Sequence, residues 1–244
     1  MKFWFKSDVG MVRESNEDCL FVDEKLRLFI IADGMGGHRA GEIASSTAIE
    51  VVSNLLKESL KPSLDRKAIF ETILNALCSA HDVISQKAQD VSLRGMGTTI
   101  VLAYCKGNDI YVANVGDSRA YLIRNERIEQ VSEDHSLVAQ MVKAGKISKE
   151  EARTHRFRHI LSQALGTSSH LIPFMAHLTW KKGDHLLLCS DGLTDMLDDQ
   201  EILSVVLKFR GDPKGGCEEL IKKVNDKGGI DNITVILLYN DCVR

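Results

Sequence analysis

The chain has 244 residues, 44% hydrophobic and 27% charged, the composition of an ordinary water-soluble folded protein and a length for one large domain or two small ones. A net charge of −3 excludes the global basic field that draws proteins to nucleic acid or to a membrane surface. Cys19, Cys78, Cys105, Cys189, Cys217 and Cys242 form no C-x-x-C pair and several lie inside apolar runs, so they read as reduced small hydrophobes in a cytoplasmic protein. The segment Met1–Lys6 is too short in apolar core for a signal peptide, and the final apolar run, Ile233–Tyr239, is too short to span a bilayer.

Phe3–Lys6 and Leu20–Val22 read as strands around a mostly polar loop, with Glu17 and Asp18 at the mouth of the second. Leu26–Asp33 is the next strand, a hairpin partner through Asp23-Glu24-Lys25. It ends in five apolar residues followed by Asp33 and then by Gly34, Gly36 and Gly37, which reads as a buried strand stopping abruptly at a carboxylate. A helix from Gly41 carries Ala44, Ala48, Val51, Val52 and Leu55 on one stripe and is ended by Pro62. Asp65 is placed to N-cap a second helix with Ile69, Ile73, Leu77, Ala80 and Ile84 inward and His81 at the core edge.

After Gly95-Met96-Gly97 the pattern turns to strands over Thr98–Tyr104, Ile110–Asn114, Ala120–Ile123 and Arg127–Val131, an antiparallel meander separated by turn-like polar residues. Ser136–Ala144 is helical. Beyond it the stretch to Arg158 is basic, carrying Lys143, Lys146, Lys149, Arg153, Arg156 and Arg158, and reads either as a solvated surface insertion or as a substrate-facing segment. Ile172–Trp180 and His185–Cys189 return to strands, Asp199–Phe209 and Pro213–Asn225 are amphipathic helices, and Ile233–Tyr239 is the last strand. No linker, repeat or low-complexity segment divides the chain, which reads as one domain, 1–244.

Carboxylates abut apolar strands at Glu17/Asp18, Asp33, Asp117, Asp191 and Asp231. Packed sheets bring strand ends to a common edge, where so many like charges repel unless cations neutralise them. Oxygen donors select Mg²⁺ or Mn²⁺, and the lack of a Cys/His cluster argues against zinc. Two such ions roughly 4 Å apart can bring a shared water to a pKa of about 7, which makes a nucleophile without serine, cysteine or histidine. No G-x-S-x-G elbow, P-loop lysine or H-E-x-x-H is present.

Seven motifs in order, Arg13-x-x-Asn16-Glu17-Asp18, Asp33-Gly34-Met35-Gly36-Gly37, Gly97-Thr98-Thr99, Gly116-Asp117-Ser118-Arg119, Asp134-His135-Ser136-Leu137, Ser190-Asp191-Gly192-Leu193 and Asp231-Asn232-Ile233-Thr234, cover nearly the whole chain. Together they resemble the metal-dependent protein serine/threonine phosphatases of the PPM or type 2C family, in its bacterial branch. The resemblance implies an α+β fold, a four-layer α-β-β-α sandwich of two antiparallel sheets flanked by helices. It implies hydrolysis of phosphoserine and phosphothreonine by in-line attack of a water or hydroxide bridging two Mn²⁺ or Mg²⁺ ions. Glu17, Asp18, Asp33, Asp191 and Asp231 are then metal ligands, with Asp33 bridging and Gly34 giving its carbonyl. Asp117 belongs to a third, weaker metal site, Arg13 clamps the substrate phosphate, and about 139–159 is a flap over the site.

Met35 departs from the eukaryotic members, which carry at this position the histidine assigned as general acid. A thioether cannot donate that proton, so the acid stays open among His38, His155, His159 and a metal-bound water. The partners implied are phosphorylated proteins and a cognate serine/threonine kinase, for a monomer that binds neither nucleic acid nor membrane. Two other readings are a catalytically dead binding module and a hydrolase of other phosphoesters.

Overall fold

The computed structural model describes residues 1–37, 39–167 and 169–241, with Arg39 described by its backbone alone; His38 and Cys242 lie outside the described residues. The chain begins with β1 (Lys2–Asp8), β2 (Asp18–Asp23) and β3 (Leu28–Met35), followed by α1 (Arg39–Ser59) and α2 (Arg66–Lys87). β4 (Gly97–Thr98), β5 (Ile100–Lys106), β6 (Asp109–Val115), β7 (Arg119–Arg124) and β8 (Arg127–Gln130) lead to the short helices α3 (Leu137–Lys143) and α4 (Lys149–Thr154). β9 (Phe174–Thr179), β10 (His185–Cys189), α5 (Asp191–Thr194), α6 (Asp199–Lys208), α7 (Pro213–Asp226) and β11 (Ile233–Tyr239) complete it.

The strands form two antiparallel sheets, one in the order β1-β11-β10-β7-β8 and the other β2-β3-β5-β6-β9, with β4 added to β3. Three apolar cores separate the layers. Phe29, Ile31, Val101, Val112, Leu186, Leu188, Ile236 and Leu238 fill the space between the sheets. Leu28, Ile30, Leu102 and Ala113 face Ala44, Val52, Ile73 and Leu77 of α1 and α2. Tyr121, Leu187, Val235 and Leu237 face Ile202, Val206, Leu220 and Val224 of α6 and α7. Central strands are therefore buried on both faces, which is why β3, β10 and β11 read as unbroken apolar runs rather than alternating ones. The expected four-layer α-β-β-α sandwich is the one observed.

Asp65 caps α2 as expected, its carboxylate accepting from the Ala68 N–H at 2.8 Å, and the α2 stripe is buried at every named position. His81 sits at the core edge, where its Nδ1 accepts from the Gly166 N–H at 3.1 Å. Four expectations need correction. β3 does not stop at Asp33: Gly34 and Met35 continue it by pairing with Thr98 and Gly97. The meander is split, with β5 and β6 in one sheet and β7 and β8 in the other, so the chain changes sheets at Gly116-Asp117-Ser118. The fully buried stripe of α1 runs through Ala44, Ala48, Val52 and Leu56, following the helical period, while Val51 and Leu55 pack only partly buried at its edge. And α1 ends at Ser59, short of Pro62.

Gly34 is where the first correction has its cause. A Cβ there would run into the Gly41 carbonyl of α1 and stand 2.8 Å from the Glu17 carbonyl oxygen, so β3 can pass between them only as glycine. Gly34→Ala is expected to destabilise the metal-free protein by about 2–3 kcal/mol through overpacking against rigid backbone. A urea melt of both proteins in chelator checks this, and an unchanged midpoint would mean that α1 can move away.

Candidate active site and metal centre

Asp33 is held by its backbone. Its N–H donates to Thr99 Oγ1 at 3.1 Å, and its carbonyl accepts from Thr98 Oγ1 and from the Thr99 N–H, both at 2.8 Å. Thr99 Oγ1 also meets Ser118 Oγ at 2.7 Å, which ties the Asp33 strand to the turn that carries Asp117. The motif Gly97-Thr98-Thr99 is thus a clamp on Asp33, a role its sequence did not announce.

Asp18 stands directly opposite Asp33 in the β2–β3 register. Ser190 Oγ donates to Asp18 Oδ2 at 2.8 Å, and Thr234 adds a second hydroxyl contact to that carboxylate. Asp18 Oδ1 is buried without a hydrogen-bond partner. Glu17 rests its carboxylate against Gly41 in the first turn of α1, where the helix dipole favours negative charge. The Glu17 carbonyl accepts from Ser45 Oγ at 2.6 Å. Asn232 closes the loop before β2: its Oδ1 accepts from the Glu17 N–H at 2.8 Å, and its Nδ2 donates to the carbonyls of Ser15 at 2.9 Å and Val9 at 3.0 Å. Neither Ser190 nor Asn232 was singled out from the sequence, although both lie inside quoted motifs.

Asp117 occupies the sheet-to-sheet crossing, after Gly116 at φ +99°. Arg119 does not pair with it. The guanidinium instead forks onto Asp134, with Nη2–Oδ2 at 2.6 Å and Nε at 3.0 Å from both carboxylate oxygens. His135 brackets the crossing from the other side. Its N–H donates to the Gly116 carbonyl at 2.9 Å, and its Nδ1 accepts from the Gly116 N–H at 3.2 Å. Burial pushes the His135 pKa down, which keeps that nitrogen an acceptor. Ser136 caps α3 through the Ala139 N–H at 3.2 Å, so each residue of Asp134-His135-Ser136 has a structural task.

Asp191 starts α5, and Asp231 lies just before β11, its Oδ2 accepting from Arg13 Nη2 at 2.7 Å. The Arg13 pKa is raised, first by that hydrogen bond and then by the charges of Asp231, Glu17 and Asp191. The segment carrying α3 and α4 is pinched at its base by the bridge between Ser136 and Leu161. A groove of about 1180 Å³ runs between this segment and the body, bounded by Asp117, Asp191, Asp195, Lys149, Arg153 and Arg158. His159 reaches the body: its Nδ1 is 3.5 Å from Asp195 Oδ2, and donor atoms of His159, Asp191 and Asp195 lie within 4.8 Å of one another. His155 does not, since its Nδ1 accepts from the Phe157 N–H at 3.2 Å within the segment itself.

Gathering these carboxyls suppresses their ionisation. Burial, then the neighbouring carboxylates, pushes Asp33 and Asp191 well above the ordinary carboxylate range. Burial raises Asp18 to about 6, with Asp231 and Glu17 adding repulsion. Burial and Asp134 raise Asp117 to about 7, against the opposing charge of Arg119. An all-oxygen donor set, mutual repulsion and an orphaned carboxylate oxygen are what a hard divalent cation relieves, so the residues fit Mn²⁺ or Mg²⁺. The described cysteines are free thiols, and burial pushes Cys105, Cys189 and Cys217 up to about 12, which leaves them inert.

Fold and site together define a phosphatase of the two-sheet, carboxylate-edged class, and comparison with known proteins agrees. The family pattern described as Protein phosphatase 2C matches residues 12–213. The serine/threonine phosphatase stp of Listeria innocua is 39% identical over 245 residues, covering 98% of this chain and 96% of its own. The solved serine/threonine phosphatase of S. agalactiae superposes with a TM-score of 0.90 at 34% identity, covering 98% of each chain. The catalytic domain of the phosphatase PstP, solved with 2 manganese ions, superposes at 0.83 and 30% identity, covering 97% of this chain and 96% of its own. The chain belongs to the protein phosphatase 2C family and is a serine/threonine protein phosphatase dependent on divalent metal. Among the described residues no helix is long and apolar enough to cross a membrane.

The raised carboxyls set a pH dependence. Each binds its proton more tightly in the native state than at the ordinary value of 3.8, so unfolding releases protons. Without metal, their contribution to stability is full below that value and is lost as pH rises through about 6 for Asp18 and about 7 for Asp117. Metal-free Asp33→Asn is therefore expected to melt higher than metal-free wild type at about pH 8, with the gap closing below about pH 3, where carboxyls are protonated in both states. Calorimetry in chelator measures this; a variant no more stable than wild type at the higher pH contradicts the crowding.

Proposed function

We propose that the chain is a single PPM-type catalytic domain, 1–244 with its flap at about 139–159, working on phosphoserine and phosphothreonine with two tightly held Mn²⁺ or Mg²⁺ ions and a third held weakly. The observation that carries this reading is the orphaned Asp18 Oδ1 among carboxyls whose ionisation is suppressed first by burial and then by their neighbours. Glu17, Asp18, Asp33, Asp191 and Asp231, with the Gly34 carbonyl, would hold the tight pair, and Asp117 would help to hold the third ion. When bound, the ions supply Lewis acidity and bring the pKa of a water down to about 7.

The remaining steps belong to the protein. Arg13, drawn over the site by Asp231, offers a planar permanently charged fork to the substrate phosphate. Ser190 holds the Asp18 carboxylate directly, and Thr98, Thr99 and Asn232 fix the backbone that carries Asp33 and Glu17, so the site would need little reorganisation during the reaction. Of the two candidate histidines among the described residues, His159 suits the role of acid better than His155: with Nδ1 turned to Asp195, its Nε2 would be the atom to donate a proton to the leaving serine or threonine alkoxide. Lys149, Arg153 and Arg158 border the groove in which a phosphoprotein segment would lie. The partners in this reading are phosphoproteins and the serine/threonine kinase that makes them, and the enzyme acts as a cytoplasmic monomer.

Phosphopeptide turnover is expected to vanish in chelator and to return with Mn²⁺ or Mg²⁺. Asp191→Asn is expected to lower kcat by more than the roughly 100-fold typical of an outer-shell loss. Asp117→Ala should keep the fold and flatten the response of kcat to high metal concentration. A metal titration of the three proteins beside thermal melts tests the reading, and full turnover by metal-stripped protein overturns it.

Arg13→Ala is expected to raise KM for a phosphopeptide by about 10- to 150-fold, the equivalent of roughly 1.5–3 kcal/mol for a hydrogen bond to a charged group, with a smaller change in kcat. Steady-state kinetics check it; an unchanged KM would make Arg13 only a partner of Asp231.

A further inference from the structure

We propose that Met11, Val12 and Ile230 form an apolar shelf beside the phosphate clamp, which selects phosphoproteins carrying an apolar side chain within about two residues of the phosphorylated serine or threonine. The proposal deepens the reading above and rests on Arg13 as the group that holds the phosphate.

Met11, Val12 and Ile230 keep 68%, 64% and 44% of their surface in water. They lie on two loops locked together by backbone: the Met11 N–H donates to the Gly229 carbonyl at 2.7 Å, and a Cβ on Gly10 would strike the Asp231 carbonyl. Single exposed apolar residues are commonplace on protein surfaces. These three are placed otherwise. Val12 directly precedes Arg13, Ile230 directly precedes Asp231, and the Arg13–Asp231 contact is 2.7 Å. Both halves of the clamp are thus flanked by apolar surface on the same pair of loops.

A phosphoserine seated on Arg13 carries its neighbours past this surface, because each residue of extended chain advances only about 3.3–3.6 Å. A leucine or valine one or two positions away would cover Met11, Val12 and Ile230 and remove apolar area on both sides from water. A polar or charged side chain there would gain nothing and would lose hydration. The shelf lies on the loops of Arg13 and Asp231, whereas the basic residues lie on the segment of α3 and α4. Sequence preference would therefore have two independent sources.

The test uses the metal-loaded full chain and phosphoserine peptides with a serine background, each carrying one leucine at a position two before, one before, one after or two after the phosphoserine. Wild type is expected to favour at least one leucine peptide over the all-serine peptide by about 3- to 10-fold in kcat/KM, the range for partial burial of one such side chain. In Met11→Ser/Val12→Ser that ratio should fall to about 1, and Ile230→Ser, on the other loop, should lower it independently. A ratio near 1 for wild type at all four positions, or one that survives both variants, overturns the shelf. Arg13→Ala, run on the same peptides, separates the two failures. A raised KM for all of them keeps the clamp whatever the leucine ratio, and an unchanged KM removes the clamp and the shelf with it.

Discussion

Repulsion among carboxylates brought to one edge of the sandwich is the constraint around which the molecule is built. Asp18 and Asp33 face each other in register, and Asp191 and Asp117 add their charge from the next elements. Left alone, such a cluster would push its strands apart or take up protons. The protein tolerates it because the surrounding backbone is over-determined: hydroxyls of Thr98, Thr99, Ser118 and Ser190 and the amide of Asn232 fasten the strand ends. Local destabilisation at a site, offset by the scaffold and relieved when the site is loaded, is a common form of the exchange between stability and activity.

Close approach of backbone to backbone is the second device. Gly34 slips past Gly41, and Gly192 lies against the Asn232 carbonyl, so the elements bearing Asp33, Glu17, Asp191 and Asp231 touch without side chains between them. Any Cβ there would widen the edge and move the donors apart. The segment over the groove is built differently. α3 and α4 bury little beyond Val138, and they hold to the body at the pinch between Ser136 and Leu161 and through Arg158 and His159 on Asp195. Few buried apolar contacts put such a segment at the low-stability end of the fold, where substrate-facing elements are usually drawn from.

Much of this was legible in the residues. Unbroken apolar runs marked strands buried on both faces, helical stripes marked α2, α6 and α7, and Asp65 announced its cap. The carboxylates after those runs pointed to a common edge and to hard metals, and the order of the motifs pointed to the family. These features are local: period, capping and the identity of a residue at a strand end can be read without knowing what packs against them.

Other features could not be read that way. The split of the supposed meander at Gly116, the run of β3 beyond Asp33, the choice of Asp134 rather than Asp117 as partner of Arg119, and the approach of His159 but not His155 to the site each depend on pairs of residues distant in the chain. Strand propensity does not say which sheet a strand joins, and an arginine's charge does not say which of two nearby carboxylates its fork will fit. The sequence by itself therefore determined most strands and helices, the carboxylates at the strand ends and, through the order of its motifs, the family and its class of chemistry. The tertiary structure decided which groups meet, because only long-range packing chooses among partners that are locally equivalent.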